Sequence, residues 1–345
     1  MEDDLSINKR RAGDDVQRPR KKMRYRSLNS ATGHSDVPVE DKNLNSASSE
    51  EESIFEMSSS GNTSRAHFRN KYYEHVSIGA GGFGSVYNGW CKRDLSLVAI
   101  KHIDRDNVRW QQVSCNGKEF KVILEVALML KAAGLPGSVG QPAAVSLLDW
   151  YLLDEEIILV MENPTNSVDL WAYLQSQGGS LSEHEAKIIL KQLVDAAIDL
   201  HSKGIFHRDI KLQNVLIQKV SGVLRVRIID FGCGLFSKET PYKSFCGTLA
   251  YCPPEWFDYQ KYWARPTTVW QLGGVFYSLL SGHKDFTTLD FIDKHIEVNA
   301  ALSTDVKILL YMCLAVDPTL RSTLEELKNS RFLNNLALCL PSVTW

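Results

Sequence analysis

No apolar run in this chain reaches the ~18–20 residues that a membrane span needs. Its seven cysteines, Cys91, Cys115, Cys233, Cys246, Cys252, Cys313 and Cys339, form no C-x-x-C pair and no Cys/His set with zinc spacing. The N-terminus MEDDLSINKRR has no apolar stretch of the kind a signal peptide carries. Scattered, odd-numbered cysteines in that setting predict reduced intracellular thiols. An excess of one charge is also missing: 39 basic against 41 acidic residues gives a net charge of -2. No global field therefore favours nucleic acid or a membrane surface. These absences exclude a disulfide scaffold, a membrane span and a bulk polyanion binder. They predict a cytoplasmic or nuclear protein, expected to be monomeric.

What is present changes character near residue 70. Residues 1–69 are rich in Ser, Asn and charge and poor in large apolar groups. Such a segment buries too little surface to offset its ordering entropy, so disorder is predicted. Within it, Lys9-Arg10-Arg11 and Arg20-Lys21-Lys22-Met23-Arg24 flank a short spacer in the manner of a two-part nuclear import signal. An import receptor would be the partner; a solvated charge run is the alternative. Residues 49–53 are acidic.

Beyond 70, short alternating or apolar runs at 75–78, 85–90, 97–103, 144–152 and 157–162 read as strands. A helical pattern at 119–133 sits among them. After Pro164 the pattern turns mainly helical, at 170–175, 183–203, 269–281, 305–315 and 323–329. Strands first and helices second predict an α+β fold with two lobes. The predicted limits are a domain at 72–337, with an N-lobe at 72–161, a hinge at 162–166 and a C-lobe at 167–337. A short tail follows at 338–345.

Gly79-Ala80-Gly81-Gly82-Phe83-Gly84-Ser85-Val86 lies between two strand-like runs. Glycines there let the backbone fold over phosphates and donate N–H groups to them. A strand follows rather than a helix, which disfavours a dinucleotide site; a ligand-free hairpin is the alternative. Val98-Ala99-Ile100-Lys101 then ends an apolar strand on a lysine placed to reach phosphate. That lysine needs a partner, and Glu125 is the candidate. It lies in the apolar stretch Ile123-Leu124-Glu125-Val126-Ala127-Leu128-Met129-Leu130, where an unpaired carboxylate is costly.

The longest signal is His207-Arg208-Asp209-Ile210-Lys211-Leu212-Gln213-Asn214, followed by Asp230-Phe231-Gly232. Asp209 is placed to accept the proton of an attacking hydroxyl. Asn214 and Asp230 supply oxygen ligands suited to Mg2+. Lys211 is placed to neutralise a transferring phosphoryl group. Further on, Cys252-Pro253-Pro254-Glu255 precedes a predicted buried partner, Arg321, and the Thr248 hydroxyl is expected to bond Asp209. Lys211 with Thr248 points to Ser or Thr rather than Tyr as the acceptor.

With these motifs in order, residues 72–333 resemble a eukaryotic protein kinase domain, and within that class the Pim kinases. The likeness rests on Gly81-Gly82-Phe83-Gly84-Ser85-Val86-Tyr87, Val98-Ala99-Ile100-Lys101-His102, Leu147-Leu148-Asp149-Trp150, Pro253-Pro254-Glu255-Trp256 and Val269-Trp270-Gln271-Leu272-Gly273. It implies a bilobed serine/threonine protein kinase using ATP and Mg2+ on protein substrates. Catalysis would fall to Asp209, Lys211, Asn214, Lys101 and Glu125, with Asn214 and Asp230 on the metal. ATP would meet Ile78, the loop Gly79 to Val86, Ala99, Lys101, Met161 as gatekeeper, Glu162, Asp169 near the ribose, and Leu216 and Ile229 under the adenine. A pseudokinase or scaffold on the same fold is the alternative; the presence of Lys101, Glu125, Asp209, Asn214 and Asp230 argues against it.

The hinge Glu162-Asn163-Pro164 carries a proline where adenine usually meets a backbone N–H. Pro164 has none to offer. The lost bond is worth ~0.5–1.5 kcal/mol, so ATP binding is predicted to be weaker than with a non-proline hinge.

Three departures from the likeness stand out. Thr268 takes a position where most protein kinases have an aspartate bonded to the catalytic-loop backbone, an aspartate that Pim kinases also lack. Leu212, Gln213 and Ala172 replace acids that read basic substrates in Pim kinases. Ser244 and Cys246 replace acids in the activation segment Thr240-Pro241-Tyr242-Lys243-Ser244-Phe245-Cys246. Phosphorylation of Ser244 would restore negative charge and dock it on Arg208; a segment ordered by packing alone is the alternative.

Overall fold

The computed structural model describes residues 42–334, apart from Phe83, 139–141 and 283–284. The basic clusters at 9–11 and 20–24, and the tail at 338–345, lie outside the described residues. Two helices come first, α1 (Lys42–Ser58) and α2 (Arg65–Lys71). A sheet follows, from β1 (Tyr72–Gly81), β2 (Gly84–Cys91) and β3 (Leu97–Asp104), joined later by β6 (Leu147–Leu152) and β7 (Glu156–Glu162). Its order is β1-β2-β3-β7-β6, antiparallel throughout. Between β3 and β6 come the hairpin β4 (Trp110–Cys115) and β5 (Lys118–Ile123), and the helix α3 (Leu124–Ala133).

The second half holds β8 (Ser167–Asp169), α4 (Leu170–Ser176), α5 (Glu183–Ser202), β9 (Ile205–Phe206), β10 (Val215–Val220), β11 (Val223–Ile228) and β12 (Leu235–Phe236). It ends with α6 (Pro254–Tyr259), α7 (Ala264–Leu280), α8 (Thr288–Ile292), α9 (Thr304–Cys313), α10 (Leu324–Lys328) and α11 (Arg331–Asn334). A β-rich lobe followed by a helical one is the predicted α+β architecture.

Local chemistry explains where these elements begin. Ser182 caps α5 by accepting from the Glu185 amide, and Glu183 and Glu185 place negative charge in its first turn. Pro266 falls in the first turn of α7, where an amide has no helical partner to lose. This helix therefore starts five residues before the predicted 269. It is buried along nearly its whole length, with Trp270 inaccessible, so it forms the centre of the helical lobe.

Two sequence expectations are corrected. Residues 119–133 are not one helix, because Lys118–Ile123 pairs with β4 from Cys115↔Lys118 to Trp110↔Ile123. Asn116 and Gly117, with φ of 51° and 75°, supply the positive-φ turn that a two-residue hairpin needs. The Asn-Gly dipeptide carried that signal in the sequence.

Predicted disorder over 1–69 also fails for residues 42–69. α1 buries Ile54 and Phe55 against the cluster that contains α3, and Glu51 and Glu52 pair with Lys131 and Lys118. Ser64 caps α2 by accepting from the His67 amide, and Phe68 packs on Tyr72 and Tyr151. Composition counts the apolar residues of a segment. It does not count the apolar surface that a folded neighbour offers to them.

Candidate active site

Lys101 is the anchor of the N-lobe side. It sits on β3 between the buried Ile100 and Ile103, and its own side chain is buried. Nζ lies 2.7 Å from Glu125 Oε1 on α3 and 2.9 Å from Asp230 Oδ1. Burial opposes charge on this lysine. The two carboxylates outweigh burial and push its pKa above the ordinary value. Burial likewise works against charge on Asp230, but Lys101 and the Gly232 amide hold its carboxyl below the usual range. The apolar setting of Glu125 thus has its cation, and that cation also orients Asp230. Asp230 has a positive φ of 63°, while Phe231 behind it is fully buried and meets the His207 ring edge-on at 5.0 Å.

The second half of the site is the turn between β9 and β10. Asp209 is buried, and every oxygen of its carboxylate is held. The Thr248 amide donates to Oδ1 at 2.7 Å, Asn214 Nδ2 donates to Oδ2 at 3.0 Å, and Lys211 Nζ lies 2.9 Å from Oδ2. Asn214 Nδ2 also donates to the Asp209 carbonyl, so both its amide protons point inward and its Oδ1 is left as an oxygen ligand. The Thr248 hydroxyl accepts from Lys211 at 2.7 Å. The expected bond from that hydroxyl to Asp209 is therefore corrected: the amide makes it, and the hydroxyl fixes the lysine. His207 Nε2 meets the Ile229 carbonyl at 3.0 Å, and burial lowers its pKa, so it acts as a neutral brace.

Two glycines are required by close approach. Gly84 has φ +115°, and a Cβ there would stand 2.0 Å from the His102 carbonyl, so the glycine loop can lie tight on β3 only without a side chain. Gly247, φ +129°, brings the activation segment against the Arg208 carbonyl, where a Cβ would stand 2.7 Å away.

The remaining predicted nucleotide contacts gather on neighbouring strands. Gly79 pairs with Val86, Ala80 with Ser85 and Gly81 with Gly84 across the β1–β2 turn. Ile78 is exposed, Gly82 lies in the turn, and Phe83 is outside the described residues. Ala99 pairs with Met161, which belongs to a buried cluster that Ala99, Leu216 and Ile229 pack against. Asp169 pairs with Leu216 and caps α4 through Oδ1, accepting from the Ala172 amide at 2.9 Å. Glu162 accepts from the Ser146 amide and pairs with Arg227, which fixes the hinge strand.

Sequence reasoning missed how the activation segment is held. Arg208 Nη2 donates to the Ser244 carbonyl at 2.9 Å and to the Tyr262 hydroxyl at 2.8 Å, beside the stacked Tyr242 and Tyr262 rings. The cation expected to receive a phosphate is buried on neutral oxygens.

Residues 72–333 match the protein kinase domain family. The chain is 38% identical over 267 residues to the serine/threonine-protein kinase pim-2 of Danio rerio, covering 76% of this chain and 84% of that protein. It belongs to the Pim-like serine/threonine protein kinases. Against the serine/threonine-protein kinase prk-2 of Caenorhabditis elegans the identity is 32%, over 80% of this chain and 61% of that protein. The PAS domain-containing serine/threonine-protein kinase of Mus musculus is 30% identical over 80% of this chain, but over only 19% of its own length. The Pim-like chain is an ATP-dependent protein-serine/threonine kinase, and nothing in these likenesses favours the pseudokinase alternative.

Proposed function

We propose the following division of labour in this kinase. Asp209 accepts the proton of the substrate hydroxyl, and its three donors hold the carboxylate in one orientation while it does so. Lys101, kept in place and charged by Glu125, binds the phosphates of ATP. Lys211 stands at the transferring group, steadied by the Thr248 hydroxyl. Asn214 Oδ1 and the Asp230 carboxylate are hard oxygen donors from two elements and would hold Mg2+. Magnesium, when bound, supplies neutralisation of phosphate charge. Asp169, Met161, Leu216 and Ile229 surround the adenosine, with the Glu162 backbone as the hinge contact.

The observation that carries this reading is the pair of linked networks, Glu125–Lys101–Asp230 and Thr248–Asp209–Asn214. Every charged member has a partner at 3.0 Å or less. Asp209→Asn and Lys101→Met are expected to abolish phosphate transfer to a Ser/Thr peptide while the variants stay folded by circular dichroism. Retained activity in both would overturn the assignment.

Protein substrates follow from the family, and the groove reading goes further. Gln213 is exposed and neutral, Leu212 is buried, and Ala172 is partly exposed, so the site presents no acid at these three positions. Substrates need not be basic before the acceptor; a peptide array on the purified kinase tests this. We also place the protein in the cytoplasm or nucleus as a monomer, with the clusters at 9–11 and 20–24 binding an import receptor. Loss of nuclear accumulation on replacing both clusters is the expected result.

A further inference from the structure

Gln271 is a buried amide, 0% exposed, on the otherwise apolar helix α7. It uses both ends of its side chain on the catalytic loop 63 residues away. Nε2 donates to the Arg208 carbonyl at 2.7 Å, and Oε1 accepts from the Ile210 amide at 3.3 Å. The residue between these two backbone groups is Asp209. Arg208 has φ of 73°, a left-handed conformation that costs a bulky residue of order 1–3 kcal/mol unless its surroundings hold it. The Arg208 guanidinium is held by Ser244 and Tyr262, and its carbonyl by Gln271.

Thr268, where most protein kinases carry a loop-binding aspartate, faces elsewhere. Its hydroxyl donates to the Ala264 carbonyl and meets His201 Nε2, both at 2.9 Å. We infer that Gln271 is the positioning residue of this kinase: one helical turn beyond Thr268, it clamps the strained loop and so aims Asp209. The inference rests on Asp209 being the base, which Asp209→Asn tests separately.

The test compares Gln271→Met and Gln271→Glu with Ser278→Ala, in the full chain at saturating ATP and peptide. Gln271→Met keeps the volume and loses both bonds. Gln271→Glu keeps an acceptor for Ile210 but sets an oxygen against the Arg208 carbonyl. Ser278 is a buried polar group on the same helix that donates to the Gly274 carbonyl and bonds Tyr251 rather than the catalytic loop. Both Gln271 variants are expected to lose about 10–100-fold in kcat with the ATP KM within about twofold, at temperatures where each remains folded. Ser278→Ala should keep its kcat despite a lower melting temperature. A kcat within about twofold of the parent in folded Gln271→Met, or a loss in Ser278→Ala of the same size, would overturn the inference.

A second inference rests on α1, all of which precedes the family match at 72–333. Phe55 meets Phe120 of the β4–β5 hairpin at 6.2 Å and Phe236 of β12, just past Asp230, at 5.8 Å. Lys131 of α3 lies over the Phe55 ring at 5.7 Å and pairs with Glu51. The geometry points to α1 as a cis-acting brace that keeps α3, and with it Glu125, against Lys101. Glu51→Lys and Lys131→Glu should each raise the ATP KM or lower kcat by about threefold, and the double exchange should recover most of the loss. Phe55→Ala should cost more, about tenfold in kcat/KM, measured well below its melting temperature. Unchanged kinetics in Phe55→Ala, or an exchange double no better than its worse single, would overturn it.

Discussion

The two lobes of this kinase each hold a buried ion pair, and the pairs are built differently. Glu255 and Arg321 join the helical lobe, and both side chains are fully inaccessible. Arg321 is bidentate to Glu255 at 3.1 and 2.9 Å, donates to the carbonyls of Ala315 and Pro266, and lies over the Trp270 ring at 5.0 Å. Every route to water is closed, so neither charge can exist without the other. Lys101 and Glu125 are almost as buried, but their third partner, Asp230, has a side chain that is 32% exposed. In the proposed mechanism, that opening is where phosphate replaces protein oxygen as the lysine's company. The first pair stabilises a fold. The second keeps a cation ready for a ligand.

The difference predicts opposite phenotypes. Lys101→Met should lower kcat by about 10²–10³-fold or more with a modest fall in stability, because water reaches the site that remains. Arg321→Ala should cost about 3–5 kcal/mol in urea unfolding, with activity lost only as the lobe melts. Equal unfolding midpoints for the two variants would break the distinction.

A smaller effect sharpens the account of the helical lobe. Burial drives His201 down to a pKa of about 4, with Nε2 toward Thr268 and Nδ1 buried without a hydrogen-bond partner. Between about 6.5 and 4 the unfolded chain binds a proton that the folded chain does not. Stability is therefore lost as pH falls through that window, by up to about 3 kcal/mol near pH 4. His201→Gln keeps a donor for Thr268 and should flatten the pH dependence of the unfolding free energy; an unchanged slope would remove His201 as its source.

At the hinge, Pro164→Ala restores an N–H, and the ATP KM should fall roughly 2–10-fold. The smallest change is expected in the activation segment. Arg208 already has neutral acceptors, so Ser244→Ala and phosphatase treatment should each leave kcat within about twofold. A large loss in both would show that a phosphate displaces these acceptors in the working enzyme.

Much of the site was legible because its chemistry demands particular groups at short spacing. Asp209, Lys211 and Asn214 lie on one turn, and Asp230 follows a hairpin. Glu125 was readable as a charge in an apolar helix that needed a cation. The same reasoning applied to Gln271, a polar residue in an apolar helix, would have found it. The Asn116-Gly117 turn was equally visible, but the helical pattern around it was given more weight. α1 was not legible, because two apolar residues, Ile54 and Phe55, become a buried face only when α3 is already folded beneath them.

The sequence by itself determined the proposed reacting groups and their order, the missing N–H at Pro164, and the two-lobed order of strands first and helices second. These depend on side-chain identity and local spacing. The tertiary structure alone decided which donors hold the catalytic loop and the activation segment. It put the Thr248 amide, not its hydroxyl, on Asp209, gave Arg208 to Ser244 and Tyr262, and brought Gln271 to the loop in place of an aspartate. Those partners are tens of residues apart in the chain, and only the packing of α7 and the activation segment around the catalytic loop brings them within hydrogen-bond reach.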